Sequence, residues 1–335
     1  MSDSTNVFFG GIGQGVWRSK DGGQNWEWTI SSQMHIECEV RALAVHPEDP
    51  KVIYAGTNEG LYRTTDCGEE WHRLDSGMDD RQIWSLLFMP DDPNIILAGI
   101  RPAEVFRSTD GGESWASLNT GMAEITETML GYNRVTTMVA DPGLPGRVWA
   151  SVEVDGVYRS NDWGSTWTHH IEGLTSWSTY KDTHSVAVVP SKGDDKKSLL
   201  VETDNNLHRS TDDGESFQPL NINRDFPGTY CRGIKQQPGR PEVLFLGNGS
   251  GTNDAYNISG AAWRSQDSGK SWQRMPLPVE PFSTVWDFAV HSADPNRVFA
   301  YTIFGEIFDS KDGGDSWEKL PRTFGEIRAM AWTPG

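Results

Sequence analysis

Arg18-Ser19-Lys20-Asp21-Gly22-Gly23-Gln24-Asn25-Trp26 is the stretch on which the fold turns, because the chain repeats it. The pattern Ser/Thr-x-Asp-x-Gly-x-x-Trp recurs around Asp66, Asp110, Asp162, Asp212, Asp267 and Asp312, with Phe217 standing in for Trp once. Successive aspartates lie 45, 44, 52, 50, 55 and 45 residues apart. A period of this size marks an array in which each repeat is one supersecondary unit, unable to bury its apolar face alone.

One repeat reads strand by strand. Residues 40–46 (VRALAVH) make a short apolar strand, and Pro47-Glu48-Asp49-Pro50 turns the chain. Residues 52–56 (VIYAG), 61–65 (LYRTT) and 70–74 (EWHRL) make three more. The Asp-x-Gly turn joins the third to the fourth, with Gly free to take positive φ and Asp able to bond local N–H groups. Four antiparallel strands per repeat, with no helical periodicity anywhere, predict a propeller blade. The C-terminal IRAMAWTPG (327–335) is a first strand without successors, and VFFGG, GVWRS and NWEWT near the N-terminus supply the missing three. From Asp312 round the ends to Asp21 is 44 residues, one normal period.

The predicted fold is therefore all-β: a single seven-bladed β-propeller domain over 1–335, closed by pairing of the N- and C-terminal strands. The predicted blades span approximately 40–74, 83–118, 135–170, 183–220, 230–275, 285–320, and 327–335 joined to 5–30.

Composition narrows the function. The 335 residues carry 47 acidic and 29 basic side chains, a formal net charge of −18. No basic excess is present for phosphate neutralisation, so a nucleic-acid partner is not expected. No stretch approaches the ~18 apolar residues of a membrane span, so no membrane partner is expected either. Cys38, Cys67 and Cys231 lack CxxC spacing, which predicts neither a disulfide framework nor a structural zinc site. The polar start Met1-Ser2-Asp3-Ser4-Thr5 does not read as a signal segment, and a cytoplasmic location is the expectation.

The repeats resemble BNR/Asp-box motifs and cover essentially the whole chain. That resemblance implies the propeller fold and leaves function open. Propellers of this kind include sialidases, xyloglucan-acting glycosidases, sortilin-type receptors and photosystem II assembly factors. The chain departs from the sialidase pattern, having no Arg-Ile-Pro segment near its N-terminus. The Asp-box residues themselves read as structural, since a motif present in every blade does not make a unique site.

Candidate site residues are those that differ between blades at equivalent positions. On the first strands, the position of Leu43 reads Leu43, Leu86, Met138, Val186, Ile234, Phe288 and Met330, an apolar ring that packs blade on blade. Two residues earlier the ring reads Arg41, Trp84, Thr136, His184, Arg232, Trp286 and Arg328. Two earlier again it reads Glu39, Gln82, Arg134, Asp182, Tyr230, Thr284 and Glu326. Strict alternation along a strand predicts that the three rings share one face and line a central channel with a charged mouth. Arg41, Arg134, Arg232 and Arg328 suit a bidentate grip on an anion, and Trp84 and Trp286 offer flat faces to a sugar or aromatic ring. Asp182, His184, Glu39, Glu326 and Tyr230 are the candidate acids and bases.

His46 and His291 precede the Pro turns on the opposite face and read as structural. His35 would join His184 if a metal were bound, but no metal site is predicted, and no cofactor is required by any motif. Cys231 beside Arg232 reads as a small buried strand residue rather than an activated thiol. Long segments at 121–134, 171–183 and 247–260 mark the same rim as the recognition side. Asn257-Ile258-Ser259 fits a glycosylation sequon and reads as coincidence.

Two functions follow from the residues. The first is an enzyme, hydrolase or lyase, acting on an anionic or sugar-like small molecule in the central pocket. The alternative is a non-catalytic propeller that binds a protein or glycan on its loop rim.

Overall fold

A computed structural model describes the chain apart from residues 1–3, 30–33, 35–36, 124–130, 177–180, 191–196, 223–225, 227 and 252–258. The described residues form 28 strands and no α-helix. These strands make seven four-stranded antiparallel sheets, and the fold is a seven-bladed β-propeller. Blade 1 joins Ile327–Thr333 to Asn6–Gly11, Val16–Ser19 and Glu27–Trp28. The terminal strands thus pair within one sheet, as the split repeat requires. The first strands of blades 2 to 7 are Val40–Val45, Gln82–Met89, Arg134–Ala140, Thr183–Pro190, Tyr230–Gln237 and Val285–Val290. The expected fourth strand at 70–74 shrinks to His72–Arg73, because the Asp-box turn holds the residues before it.

The chain divides into two compact units, residues 1–169 with 328–335 and residues 170–327. But for single residues at the boundary, the first carries blades 1 to 4 and the second blades 5 to 7.

Each Asp-box is a closed hydrogen-bond circuit. In the box of blade 3, the Ser108 hydroxyl donates to Asp110 Oδ1 at 2.8 Å and accepts the Gly112 N–H at 2.8 Å. Asp110 also accepts the Ser114 N–H and hydroxyl, and these bonds, the hydroxyl first, hold its carboxyl down to about 2. Trp115 Nε1 returns to the Gly112 carbonyl at 3.1 Å. Every acceptor of this aspartate is spent locally, which supports the structural role read from its repetition. His46 and His291 are structural in the same sense. Their Nδ1 atoms accept backbone N–H groups of the following turn, from Glu48 and Asp49 and from Ala293.

Within each unit, apolar residues from neighbouring blades interlock at the seams. Phe8 and Val16 of blade 1 meet Val40, Ile53, Tyr62 and Trp71 of blade 2, each side chain contributing roughly 1.5–3 kcal/mol by burial. Glycines on the second strands let the blades approach. A Cβ at Gly10 would stand 2.4 Å from Val40 Cγ1, one at Gly56 2.6 Å from Ile83 Cγ2, and one at Gly99 2.6 Å from Val135 Cγ1.

The first strands are not strictly alternating. Pairing with the second strand skips Arg41, Trp84, Thr136, His184 and Trp286 in blades 2, 3, 4, 5 and 7, and Gly233 in blade 6. Each skip is a β-bulge, which inserts a residue and re-aims its side chain. Leu43 consequently shares its core cluster with Val40, three residues away, and Leu86 with Ile83, Met138 with Val135, Ile234 with Cys231, and Phe288 with Val285. For Arg41, Trp84, Thr136, His184 and Trp286 the expectation of a shared face with the apolar ring is corrected here, because the bulge breaks the alternation that would put them on it.

Candidate functional site

In the first unit the bulged Arg41 and Trp84, with the regularly paired Arg134, build a stack of charge on an aromatic ring. Trp84 of blade 3 has the Arg41 guanidinium of blade 2 at 4.3 Å from its ring centre and that of Arg134 of blade 4 at 4.4 Å. The two arginines come from the blades on either side of blade 3. Such cation–π contacts contribute about 0.5–1 kcal/mol when exposed and about 2 kcal/mol when desolvated. The expected flat face of Trp84 for a sugar is therefore taken by protein cations. Trp84 Nε1 donates to Gln82 Oε1 at 3.3 Å, which fixes the indole.

Carboxylates tie the ends of the stack. Glu39 Oε2 lies 2.7 Å from Arg41 Nη2, and Glu153, itself buried, pairs with Arg134 Nε. Arg101 ends the second strand of blade 3 opposite Gln82. Burial holds its guanidinium below the ordinary arginine value, and the positive charges of Arg134 and Arg41 add to that, against Glu153 and Glu39. Among the described residues the guanidiniums of Arg41, Arg101 and Arg134 gather here with the carboxylates of Glu39 and Glu153, and Arg41 Nε is buried without a hydrogen-bond partner.

A related cluster stands in the second unit. The Arg232 guanidinium sits 4.3 Å from the Trp286 ring centre and 5.8 Å from that of Tyr230. Tyr230 packs on His184, ring centres 4.8 Å apart. His184 Nδ1 is 2.9 Å from the Cys231 carbonyl, and a carbonyl only accepts, so Nδ1 carries the proton. Its Nε2 faces Asp182 Oδ1 at 3.7 Å, beyond hydrogen-bond reach. The His184 side chain is only 1% exposed, a poor position for trading protons with a bound molecule. Cys231 is fully buried, and burial pushes its thiol well above the ordinary range, so it is no activated nucleophile.

The structure thus brings together Glu39, Arg41, Trp84 and Arg134 in one unit, and Asp182, His184, Tyr230, Arg232 and Trp286 in the other. Arg328 and Glu326 are half-buried at the head of the C-terminal strand, and the clusters are defined without them. His35, Asn257 and the segments 124–130, 177–180 and 252–258, which include most of the loop tips expected to carry recognition, lie outside the described residues.

Arg101, Glu153 and Glu202 escape the sequence reading because they lie on second strands, where no ring comparison was drawn. Glu202 could have been found by one. Strand pairing aligns it with Gly10, Gly56, Gly99, Ser151, Gly247 and Tyr301, and a carboxylate among glycines is an outlier. It is fully buried, and neither oxygen makes a hydrogen bond of good geometry. Burial raises its carboxyl well above the usual range and the charge of Asp287 adds to this, while Arg232, Lys235 and the Gly233 N–H oppose it.

A family model described as Sortilin, neurotensin receptor 3 matches residues 14–138. No curated protein matches the chain. Among solved structures, the GH74 xyloglucanase from Xanthomonas campestris superposes with a TM-score of 0.67 at 17% identity, over 98% of this chain and 52% of that one. The chain thus spans about half the length of that enzyme. A putative 6-phosphogluconolactonase from Bacteroides fragilis gives 0.62 at 9% identity, over 99% and 98% of the two chains. YCF48 bound to D1 peptide gives 0.60 at 17%, over 93% and 88%. At these identities the likeness is one of fold. Together the matches fit the seven-bladed propeller fold and single out no family within it.

Proposed function

We propose that this propeller binds an anionic ligand at the head of the first strands of blades 2 to 4, with Arg41, Arg101 and Arg134 as the groups that hold it. The observation that carries the reading is the gathering of guanidiniums around Trp84, with Arg41 Nε buried and unpartnered. Arginines do not shed their charge at any ordinary pH, so guanidiniums held this close favour an anion. Binding is favoured over catalysis because the carboxylates of this unit that face the arginines, Glu39 and Glu153, are already engaged in ion pairs. A second reading, hydrolase or lyase chemistry, draws support from Asp182, His184 and Tyr230 lying side by side, with the buried imidazole weighing against it.

Calorimetry and thermal melting with acetate, glucuronate, sulfate and phosphate test the proposal. Binding is expected for at least one, weakening as ionic strength rises, and Arg101→Met should lower it at least tenfold with the fold intact. If none of these anions binds or raises the melting temperature, the anion reading falls.

A further inference from the structure

We propose that Glu202 is a proton-operated wedge in the seam between blades 5 and 6: with its proton it fills the seam, and without it the seam loosens. The first support is positional. At this place on the second strand, blades 1, 2, 3 and 6 carry glycine, and in each case an added Cβ would meet the next blade. At Gly247, for example, it would come within 2.2 Å of the Val285 carbonyl oxygen. Blade 5 instead inserts a carboxylic acid into the space that these four leave empty.

The second support is the contact across the seam. Gly233, the residue skipped in the first strand of blade 6 at φ +69°, aims its N–H at Glu202 and favours its charge, which places the carboxyl against that strand.

The third support is chemical. Glu202 is fully buried with neither oxygen in a good hydrogen bond, and an ionised carboxylate in that state is far costlier than a neutral acid. The groups facing it are Arg232, Lys235 and Cys231 from the first strand of blade 6 and Asp287 from that of blade 7. Lys235 is already paired with Asp287 at 3.1 Å, and Arg232 lies on Trp286. Both cations act on Glu202 from where they stand, but neither makes a hydrogen bond to it. Loss of the proton therefore draws Arg232 or Lys235 toward the seam or lets water in. Because the folded state holds this proton more tightly than the unfolded chain, the stabilisation is full below the ordinary carboxylate range and is lost as pH rises.

Hydrogen exchange from pH 6 to 10, corrected for intrinsic base catalysis, tests the wedge on the full chain. Protection of the amides in 231–235 should fall with rising pH in the wild type, by at most tenfold per pH unit, the one-proton limit. Glu202→Gln should abolish that dependence. Glu202→Gly, which gives blade 5 the residue of blades 1, 2, 3 and 6, should abolish it too and serves if the glutamine variant misfolds. An infrared band of a protonated carboxyl should be present in the wild type at neutral pH and absent from either variant. The proposal is overturned if that band is missing from the wild type, or if protection depends on pH identically in all three proteins.

Discussion

Gly56→Ala isolates the force that sets blade spacing. Gly56 lies in an extended strand without positive φ, so alanine brings no backbone strain and lowers the entropy of the unfolded chain, a stabilising effect of about 0.4–1 kcal/mol where space allows. Space does not allow it here. The added Cβ would stand 2.6 Å from Ile83 Cγ2, 2.9 Å from Ile83 Cβ and 3.2 Å from Ala42 Cβ. Ile83 is fully buried on the first strand of blade 3 and is β-branched, so it has no free rotamer into which to retreat. Overpacking of this kind costs about 1–3 kcal/mol, and net destabilisation of about 1–2 kcal/mol is expected from equilibrium urea unfolding. Ile83→Ala alone should cost about 2–5 kcal/mol through the cavity it leaves. The double variant places a methyl in that cavity, so its cost should fall short of the sum by at least about 1 kcal/mol, a coupling that a double-mutant cycle reads directly. A neutral Gly56→Ala, or strictly additive variants, would refute the view that these glycines exist to admit the next blade.

Two further outcomes test the repeats and the closure. Ser265→Ala removes the hydroxyl that accepts the buried Gly269 N–H at 2.8 Å and donates to Asp267; a loss of about 1–3 kcal/mol is expected from the orphaned donor, with unchanged anion binding by calorimetry. Deleting 327–335 strips the strand that pairs with Asn6–Gly11 and exposes an apolar sheet edge. The truncated chain should lose its cooperative melt, and a sharp transition at the parent temperature would contradict closure by the terminal strands.

The sequence by itself determined the number of blades, their strands and the pairing of the chain ends. Local chemistry suffices for that: Asp and Gly make the turn, Ser closes it, Trp caps it, and repetition every 44–55 residues leaves one architecture. It also located most of the charged and aromatic residues that gather at the heads of the first strands. What it did not determine is how those residues face. A bulge is invisible to period-two reasoning, so the alternation that joined Arg41 to Leu43 failed, and Val40 took the place expected of Arg41. The fate of Trp84 was likewise a tertiary matter, because the two arginines covering it come from separate blades about 50 residues either side. Arg101 and Glu202 belong to second strands, whose side chains acquire an environment only when the next blade packs against them. A glutamate in sequence is a solvated charge until a neighbouring blade buries it, and that burial, a property of two repeats in contact, is what makes Glu202 a neutral acid.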